Sequence, residues 1–384
     1  MYELGVPVPQ VAPLFRRVLL LTTDAYGASG GIAQYNRDLA EALAEMPEVG
    51  EVVVVPRTRP RTSEPLPEKV RFVPHASRGK LPYVAAATAC ALSGVDLVIC
   101  GHVNLLPLAA TLRLLLRCPL VLMAYGIDVW TEPPRASRLW LRQLTAVWSI
   151  SGVTRDRMNR WAQLPESAYT VLPNAIRLRR YGAAPRSAAL LTRYGLHGRR
   201  VLLTVARLPG AERYKGIDEV LDLLPVLHRD DPTLTYLVVG DGDDRVRLEA
   251  KARALGVNHH VVFAGFIDES EKADHFRLAD VFVMPGRGEG FGFVFLEALA
   301  CGVPVVGSAL DGSREALHDG VLGELVDPRD PDSIRSGIRR ALGRSRTVQP
   351  QLAYFDWPAF CARLQAAVYS VLVKPEAPPE DASR

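Results

Sequence analysis

The stretch "GRGEGFGFVFLEALACGVPVVGS" occupies residues 286–308 and follows the β-branched run 281–285. Glycines stand at every second position from Gly286 to Gly292, and an apolar run with the length of a short helix begins at about Phe293. Glycine lets the backbone approach a ligand closely, and the free N–H groups at the start of a helix attract anions. The stretch therefore predicts a strand, a glycine-rich loop and a helix that together form an anion site.

Similar β-branched runs recur along the chain, and helical periodicity fills the segments between them. This alternation predicts βα units, mostly parallel sheets and an α/β fold of two doubly wound Rossmann-like domains that face a central crevice. The predicted strands are 18–22, 52–55, 97–100, 120–124, 147–150, 169–172, 201–206, 234–240, 260–265, 281–285 and 303–307.

The alternation of predicted strands and helices stops in a segment rich in arginine, alanine and turn formers. This segment is predicted to be the connection between an acceptor-binding and a donor-binding domain. The last helical pattern is predicted to pack across both domains, and the tail that follows is expected to be disordered. The predicted ranges are 1–172 for the N-terminal domain, 173–200 for the connection, 201–352 for the C-terminal domain, 353–373 for the helix and 374–384 for the tail.

Composition indicates a globular protein: 48% of the 384 residues are hydrophobic, 23% are charged and the net charge is +4. The first 165 residues carry 18 Lys and Arg against 13 Asp and Glu, so the positive charge lies in the N-terminal half. No run approaches the ~20 apolar residues of a membrane span, and no signal peptide is evident, so a cytoplasmic protein is expected. The five cysteines are scattered, which predicts free thiols rather than disulfides or a metal site.

Two glutamates, Glu289 and Glu297, flank the predicted anion site eight positions apart. Eight helical residues span ~12 Å. Carboxylates repel phosphate but bind hydroxyl groups well. A nucleoside diphosphate sugar resolves this conflict, because it has a diphosphate between two hydroxyl-rich rings. We expect Glu289 to bind the sugar and Glu297 to bind the ribose. The alternative is that each carboxylate only lies near a helix N-terminus and binds no ligand.

The pattern from Gly288 to Glu297, followed by "ALACGVPVVGSALDGSREAL", resembles the signature of the retaining glycosyltransferases of family four, which have the two-Rossmann-domain B architecture (GT-B). The resemblance covers nearly the whole chain. It extends to "GGIAQYNRDLAEAL" (30–43), "VLPNAI" (171–176), "VARLPGAERYKGID" (205–218) and "VVGDGDD" (238–244).

The resemblance implies that Arg207 and Lys215 contact the donor diphosphate and, with Glu289, carry catalysis. Two cations beyond a strand end can stabilise a leaving diphosphate; the alternative is a pair of solvated surface charges. The similarity also suggests that Gly30 and Gly31 approach the donor phosphate. The remaining donor-binding residues are predicted to be Gly265, Phe266 and Ile267, which contact the nucleotide base, together with Gly290, Phe291, Gly292 and Glu297.

Three residues follow strand ends in the N-terminal domain: His102, Tyr125 and Asp128. We expect them to hydrogen-bond the acceptor or the transferred sugar. Many relatives have histidine where Tyr125 stands, so a direct role of the tyrosine departs from the family pattern. The alternatives are a structural histidine at His102 and an aspartate that binds turn backbone at Asp128.

The predicted function is therefore retaining transfer of a hexose from a nucleotide sugar, with GDP-mannose favoured, to an acceptor hydroxyl. The family's front-face reaction, in which the leaving phosphate helps to take the acceptor proton, is implied. Similarity to bacterial exopolysaccharide and O-antigen enzymes suggests a polyprenyl-diphosphate-linked saccharide as the acceptor. Neither a metal nor a cofactor is expected, since "DGDD" (241–244) is interpreted as a turn with a helix cap.

Other functions of the same fold are a nucleotide-sugar epimerase, a phosphorylase or a non-catalytic nucleotide-sugar-binding protein. A dehydrogenase is excluded because residues 24–34 do not fit G-x-G-x-x-G and the second strand ends in Pro56 and Arg57 instead of an acid. No nucleic-acid partner is expected. Residues 112–118 and 135–144 combine leucine and tryptophan with Arg113, Arg117, Arg138 and Arg142. This combination predicts peripheral binding to anionic lipid on the inner face of the cell membrane.

Overall fold

The computed structural model describes residues 15–27, 30–58 and 65–372, and two units divide them. The first unit takes the described chain up to Ser149, together with Arg157–Leu172 and the residues from Cys361 on. The second unit takes Ile150–Asp156 and Pro173–Phe360. Each unit has its own sheet.

Within the described residues, seven parallel strands form the sheet of the first unit in the order β3-β2-β1-β4-β5-β6-β7. Most of their residues are buried on both faces, as parallel sheets covered by helices require. The short strand β3 was not predicted. The strands are β1 Phe15–Thr22, β2 Val49–Pro56, β3 Val70–Phe72, β4 Leu97–Gly101, β5 Leu120–Ala124, β6 Ala146–Ser149 and β7 Tyr169–Val171.

Helices cover this sheet, and α2, α3 and α6 contribute to one core with its strands. Tyr83 of α2 and Trp161 of α6 are buried there. The helices that begin before Pro173 are α1 Gly31–Glu45, α2 Lys80–Leu92, α3 Leu106–Leu116, α4 Ile127–Trp130, α5 Arg135–Leu139 and α6 Gly152–Ala162.

The described sheet of the second unit has six parallel strands in the order β10-β9-β8-β11-β12-β13. These strands are β8 Arg200–Val205, β9 Leu234–Val239, β10 Val261–Gly265, β11 Val281–Met284, β12 Val305–Ser308 and β13 Glu324–Val326. The helices are α7 Ala188–Tyr194, α8 Ile217–Asp230, α9 Arg245–Ala254, α10 Lys272–Leu278, α11 Phe293–Ala300, α12 Ser313–Ala316, α13 Pro331–Leu342 and α14 Trp357–Leu372.

Helix α14 is the terminal helix predicted over 353–373, and it begins in residues of the second unit and continues in residues of the first. In the first unit the Tyr369 hydroxyl donates to Glu48 at 2.7 Å. Residue 373 and the predicted tail 374–384 lie outside the described residues. The predicted connection 173–200 contains helix α7, which sequence patterning missed.

The strand orders confirm the predicted fold class, because each sheet has a point at which the strand order reverses. In the second unit β8 lies between β9 and β11, and in the first β1 lies between β2 and β4. Ligands of doubly wound sheets bind beyond the carboxyl ends of the strands at such points. The loops after β8 and β11 carry Arg207 and Glu289, while those after β1 and β4 carry Gly30 and His102.

Close packing of α13 on β13 yields a test of the second unit. A Cβ atom at Gly337 would lie 2.4 Å from Cγ1 of the buried Val326. Alanine is favoured over glycine inside helices by about 1 kcal/mol, yet we expect Gly337→Ala to destabilise the protein by about 1–3 kcal/mol through overpacking. The measurement is urea unfolding. Gly343→Ala is the control, since its Cβ would meet nothing closer than 3.4 Å; equal stability of the two variants would contradict the prediction.

Candidate active site

The glycine-rich loop between β11 and α11 packs closely on the turn after β8. A Cβ atom at Gly288 would lie 2.7 Å from the Tyr214 ring, and Gly292 at the start of α11 has φ +95°. A larger side chain therefore clashes at the first position and strains the backbone at the second. Helix α11 spans the predicted residues Phe293–Ala300.

Asp311, in the loop after β12, holds the backbone of Glu289. Its Oδ2 accepts a hydrogen bond from the Glu289 N–H at 2.9 Å, and the Gly312 N–H donates to the Glu289 carbonyl at 2.8 Å. Burial raises the pKa of Asp311 to about 6, although hydrogen bonds from Ser313 and Glu289 oppose the shift. A Cβ at Gly312 would lie 2.1 Å from the Gly290 carbonyl oxygen, so the two loops are in direct backbone contact.

Oppositely charged side chains alternate between the loops after β8 and β11. Lys215 Nζ lies 2.7 Å from Glu289 Oε2 and 3.9 Å from Glu212 Oε2, while Arg207 lies 2.5 Å from Glu212. Lys215 and Glu289 are 17% and 18% exposed, whereas Arg207 is 69% exposed. Burial favours a lower Lys215 pKa, but the Glu289 carboxylate outweighs it and raises the pKa, so Lys215 is a cation.

Glu297 is buried inside α11 and has two partners on one oxygen. Its Oε1 accepts hydrogen bonds from Lys272 Nζ at 2.6 Å and from the Tyr181 hydroxyl at 3.2 Å. Among the described residues, Oε2 has no hydrogen-bond partner although it is buried. Burial raises the pKa of Glu297, and Lys272 opposes this shift.

The residues predicted at the base lie at the carboxyl end of β10. Gly265 has φ +77°, and its carbonyl accepts a hydrogen bond from Gly240 at 2.8 Å. Phe266 is 72% exposed, so its ring is accessible to a ligand. Phe291, in contrast, is fully buried against Phe355 with ring centroids 5.6 Å apart. The side chain of Phe291 is therefore not available to a donor.

In the first unit, the Tyr125 hydroxyl donates to Asn36 Oδ1 at 2.5 Å and is buried. The Asn36 amide in turn donates to the Thr22 hydroxyl at 2.7 Å and to the Asp24 carbonyl at 2.8 Å. The buried Tyr125 hydroxyl thus helps to order the loop after β1, and its expected hydrogen bond to the acceptor or sugar stays a prediction. That loop leads to Gly30, which has φ +144° and precedes α1; residues 28 and 29 lie outside the described residues.

His102 and Asp128 both bind backbone. His102 Nδ1 accepts a hydrogen bond from the Asn104 N–H at 3.1 Å, and burial, assisted by Arg57, lowers its pKa. Asp128 Oδ1 accepts from the Tyr125 N–H at 3.2 Å. Burial raises the pKa of Asp128 to about 7. The turn-binding alternative for Asp128 is thus the arrangement found.

Two family descriptions match the chain: Glycosyl transferases group 1 over residues 193–349, and Glycosyltransferase Family 4 over residues 29–180. The chain is 30% identical to the GDP-mannose-dependent alpha-(1-6)-phosphatidylinositol monomannoside mannosyltransferase of Mycobacterium tuberculosis over 363 residues, which covers 89% of this chain and 93% of the relative. It is 35% identical over 238 residues to the protein of the same name from Mycolicibacterium smegmatis, covering 59% of this chain and 62% of that relative.

The chain belongs to the group 1 glycosyltransferases of family 4. Solved structures agree on the fold. HepE of Anabaena in complex with UDP has a TM-score of 0.71 at 22% identity, with 92% of this chain and 100% of that chain covered. Sucrose-phosphate synthase of Thermosynechococcus elongatus has a TM-score of 0.74 at 21% identity, with 92% and 98% covered. The B-type architecture is thereby confirmed.

In this glycosyltransferase, sequence reasoning missed Glu212, Asp311, Tyr181 and Lys272. Asp311 follows the end of β12, and strand-end position is the signal that could have revealed it. Glu212 lies within the basic stretch 205–218, where a carboxylate between two cations is itself a sequence signal. The sequence carries no local signal for the two partners of Glu297.

The two cations of the glycosyltransferase should act on a leaving group. We expect Arg207→Ala and Lys215→Ala each to lower turnover by a factor of roughly ten to a thousand, the range for a lost preorganised charge. Lys215 should have the larger effect because it is less exposed and neutralises Glu289. Steady-state transfer kinetics measure both. Arg329→Ala is the control, an exposed arginine paired with Asp327; wild-type turnover in the double variant would refute the assignment.

Proposed function

We propose that the protein transfers mannose from GDP-mannose to an acceptor hydroxyl with retention of configuration at the anomeric carbon. The observation that carries the proposal is the pair of carboxylates around the start of α11. Glu289 is paired with Lys215, and Glu297 has a buried oxygen without a partner among the described residues. These groups match a donor in which a diphosphate links a sugar to a ribose: Glu289 faces the sugar, the cations face the diphosphate and Glu297 faces the ribose.

The diphosphate lies against Arg207, Lys215 and the N-terminus of α11 in this proposal. Glu289 accepts a hydrogen bond from a sugar hydroxyl, and Lys215 retains donors for a phosphate oxygen because ammonium has three. The bond from the anomeric carbon to the diphosphate breaks while the acceptor oxygen bonds to the same face of that carbon. The leaving phosphate oxygen takes the acceptor's proton, and the cations stabilise its charge.

The names of the mycobacterial relatives specify GDP-mannose, which supports this donor over others. Phe266, exposed at the end of β10, is suited to stack on a base. HepE was solved with UDP and with UDP-glucose, so uridine nucleotides are the main alternative.

We propose that transfer is independent of metal. Cations and a helix N-terminus neutralise the donor phosphates in place of a divalent ion. The stretch 241–244 is engaged otherwise: Asp243 accepts from the Gly210 N–H at 2.8 Å, and Asp244 pairs with Arg247 at 2.6 Å. Asp244 precedes α9 without a side-chain cap hydrogen bond, so the predicted helix cap is wrong.

We further propose a lipid-linked saccharide as the acceptor and peripheral binding of the first unit to an anionic membrane. None of the described helices is long and apolar enough to cross a membrane. Helix α3 packs beside α2 and beside the 3-10 turn after α5, and these elements, together with α5 and the C-cap of α3, carry exposed apolar and basic side chains. The exposed apolar residues are Leu81, Val84, Leu92, Leu114, Leu115 and Leu139, and the exposed arginines are Arg117, Arg135, Arg138 and Arg142.

The contacts of the four predicted arginines differ, and we propose lipid contact for those without a side-chain partner in the contacts described below. Residues 135–144 form the short α5 and a 3-10 turn rather than one continuous helix. Arg138 pairs with Glu132 at 2.8 Å, and Arg113 donates to Gln143 at 3.2 Å. Arg117 and Arg142 are therefore the better candidates for lipid contact.

A thermal-shift screen with GDP, UDP, ADP and their sugars tests the donor. GDP and GDP-mannose should give the largest increase, since a ligand at ~100 Kd stabilises by ~2.7 kcal/mol. Transfer to lipid-linked saccharides, including polyprenyl-diphosphate and phosphatidylinositol types, should then proceed equally with and without EDTA. A larger shift with UDP would reassign the base, and tight binding without transfer to any acceptor would indicate a non-catalytic binding protein.

The two glutamates should differ in effect. Glu289→Gln should depress turnover and leave affinity for free GDP near normal, because this carboxylate contacts the sugar. Glu297→Gln should weaken GDP and GDP-mannose alike, because it contacts the ribose. Isothermal titration and steady-state kinetics measure the two effects. Equal losses of GDP affinity in both variants would contradict the assignment.

Membrane binding is tested by flotation with vesicles that contain anionic lipid. At low salt the protein should float, and Arg117→Gln with Arg142→Gln should weaken binding roughly 30-fold, at ~1 kcal/mol per basic residue. Arg16→Gln, at an exposed position of β1, is the control. Protein that stays in the soluble fraction, with normal transfer by the double variant, would indicate a soluble acceptor.

A further inference from the structure

Three separate elements meet at the Glu297 carboxylate. Tyr181 follows a 3-10 turn that ends at Arg180, Lys272 is the first residue of α10, and Glu297 lies in α11. Both partners bind Oε1, which leaves Oε2 buried without a partner among the described residues. Glu297 is only 5% exposed.

This arrangement is unfavourable for the stability of the fold. Removing an ion pair from water costs free energy that its mutual attraction often fails to recover, and a buried oxygen without a hydrogen bond adds to the cost. Native proteins rarely leave such an atom unpaired, so each case calls for an explanation. A ligand that donates hydrogen bonds to Oε2 is the explanation consistent with the proposed donor.

We propose that Lys272 and Tyr181 are positioning residues that hold Oε1 of Glu297 and thereby aim Oε2 at the two hydroxyls of the donor ribose. The inference rests on the proposed function, since it requires a ribonucleotide at this site. The ammonium of Lys272 opposes the rise in the Glu297 pKa that burial causes, and so favours the carboxylate form, in which Oε2 acts only as an acceptor. The Tyr181 hydroxyl restricts rotation of the carboxylate about its final side-chain bond.

The test compares affinity for GDP with affinity for 2′,3′-dideoxy-GDP by isothermal titration. The wild-type protein should prefer GDP by roughly tenfold or more, as expected for hydrogen bonds to a charged group. Tyr181→Phe should lower this ratio severalfold. Lys272→Met should reduce it to the ratio of Glu297→Gln, and Lys272→Arg should restore part of it. Affinity for the dideoxy nucleotide should stay at the wild-type level throughout.

A second readout separates positioning from support of the fold. Tyr181→Phe should raise the KM for donor with little change in kcat, because the ribose is bound alike in the ground state and the transition state. Tyr194→Phe is the matched control: its hydroxyl bonds His275 on α10 at 3.0 Å and should leave the ratio unchanged.

Equal loss of affinity for GDP and the dideoxy nucleotide in Tyr181→Phe and Lys272→Met would overturn the inference in favour of a structural role. Equal binding of the two nucleotides by the wild-type protein would overturn it as well. Affinities for UDP and 2′,3′-dideoxy-UDP are measured in parallel. Binding of neither ribonucleotide would reject the proposed function itself, a result distinct from an unchanged ratio. Because Tyr181→Phe removes one oxygen atom, the test does not depend on whether Lys272→Met folds.

Discussion

The contact between Lys215 and Glu289, 2.7 Å long, joins the two loops on which the second unit's site depends. One loop follows β8 and the other follows β11, and these strands are neighbours where the strand order reverses. The charges can meet only if the backbones approach closely, which explains why Gly288 packs against the Tyr214 ring. Asp311 completes the arrangement by fixing the Glu289 N–H from a third strand end. The strand order, Gly288 and the buried Asp311 thus together position the ion pair of Lys215 and Glu289.

The two glutamates differ because their surroundings differ. Glu289 is partly exposed and shares its cation with Glu212, so its charge is balanced within a chain of alternating signs. Glu297 is buried, and burial favours its neutral form against the effect of Lys272. A spacing of eight residues indicated that the carboxylates could contact different parts of one ligand. It could not indicate that one would form a partly buried ion pair and the other would be a fully buried acceptor, since that depends on helices distant in sequence.

Sequence patterning predicted α11 and all described strands except the three-residue β3 and β13, because their signals are local: buried parallel strands are continuous apolar runs, and glycines punctuate the loops. The missed residues depend on long-range contacts. Tyr181 lies 116 positions from Glu297, and Lys272 lies 25 positions from it. Local patterning could not identify the partner of Tyr125 either, because Asn36 is 89 positions away. A strand-end position predicts proximity to a crevice, but the direction of a side chain depends on what packs around it.

Alternation of charge also explains how carboxylates can stand beside the glycine-rich loop to which the proposed function assigns the donor phosphates. Arg207, Glu212, Lys215 and Glu289 follow one another with opposite signs, so no member faces an unbalanced like charge. A cluster of cations alone would bind phosphate more strongly, but it would also retain a diphosphate product and offer nothing to a sugar hydroxyl. Catalysis requires interactions that strengthen as charge develops on the leaving group, rather than uniformly tight binding. Cations already partnered by carboxylates, and set beside the start of a helix, are suited to respond to that developing charge.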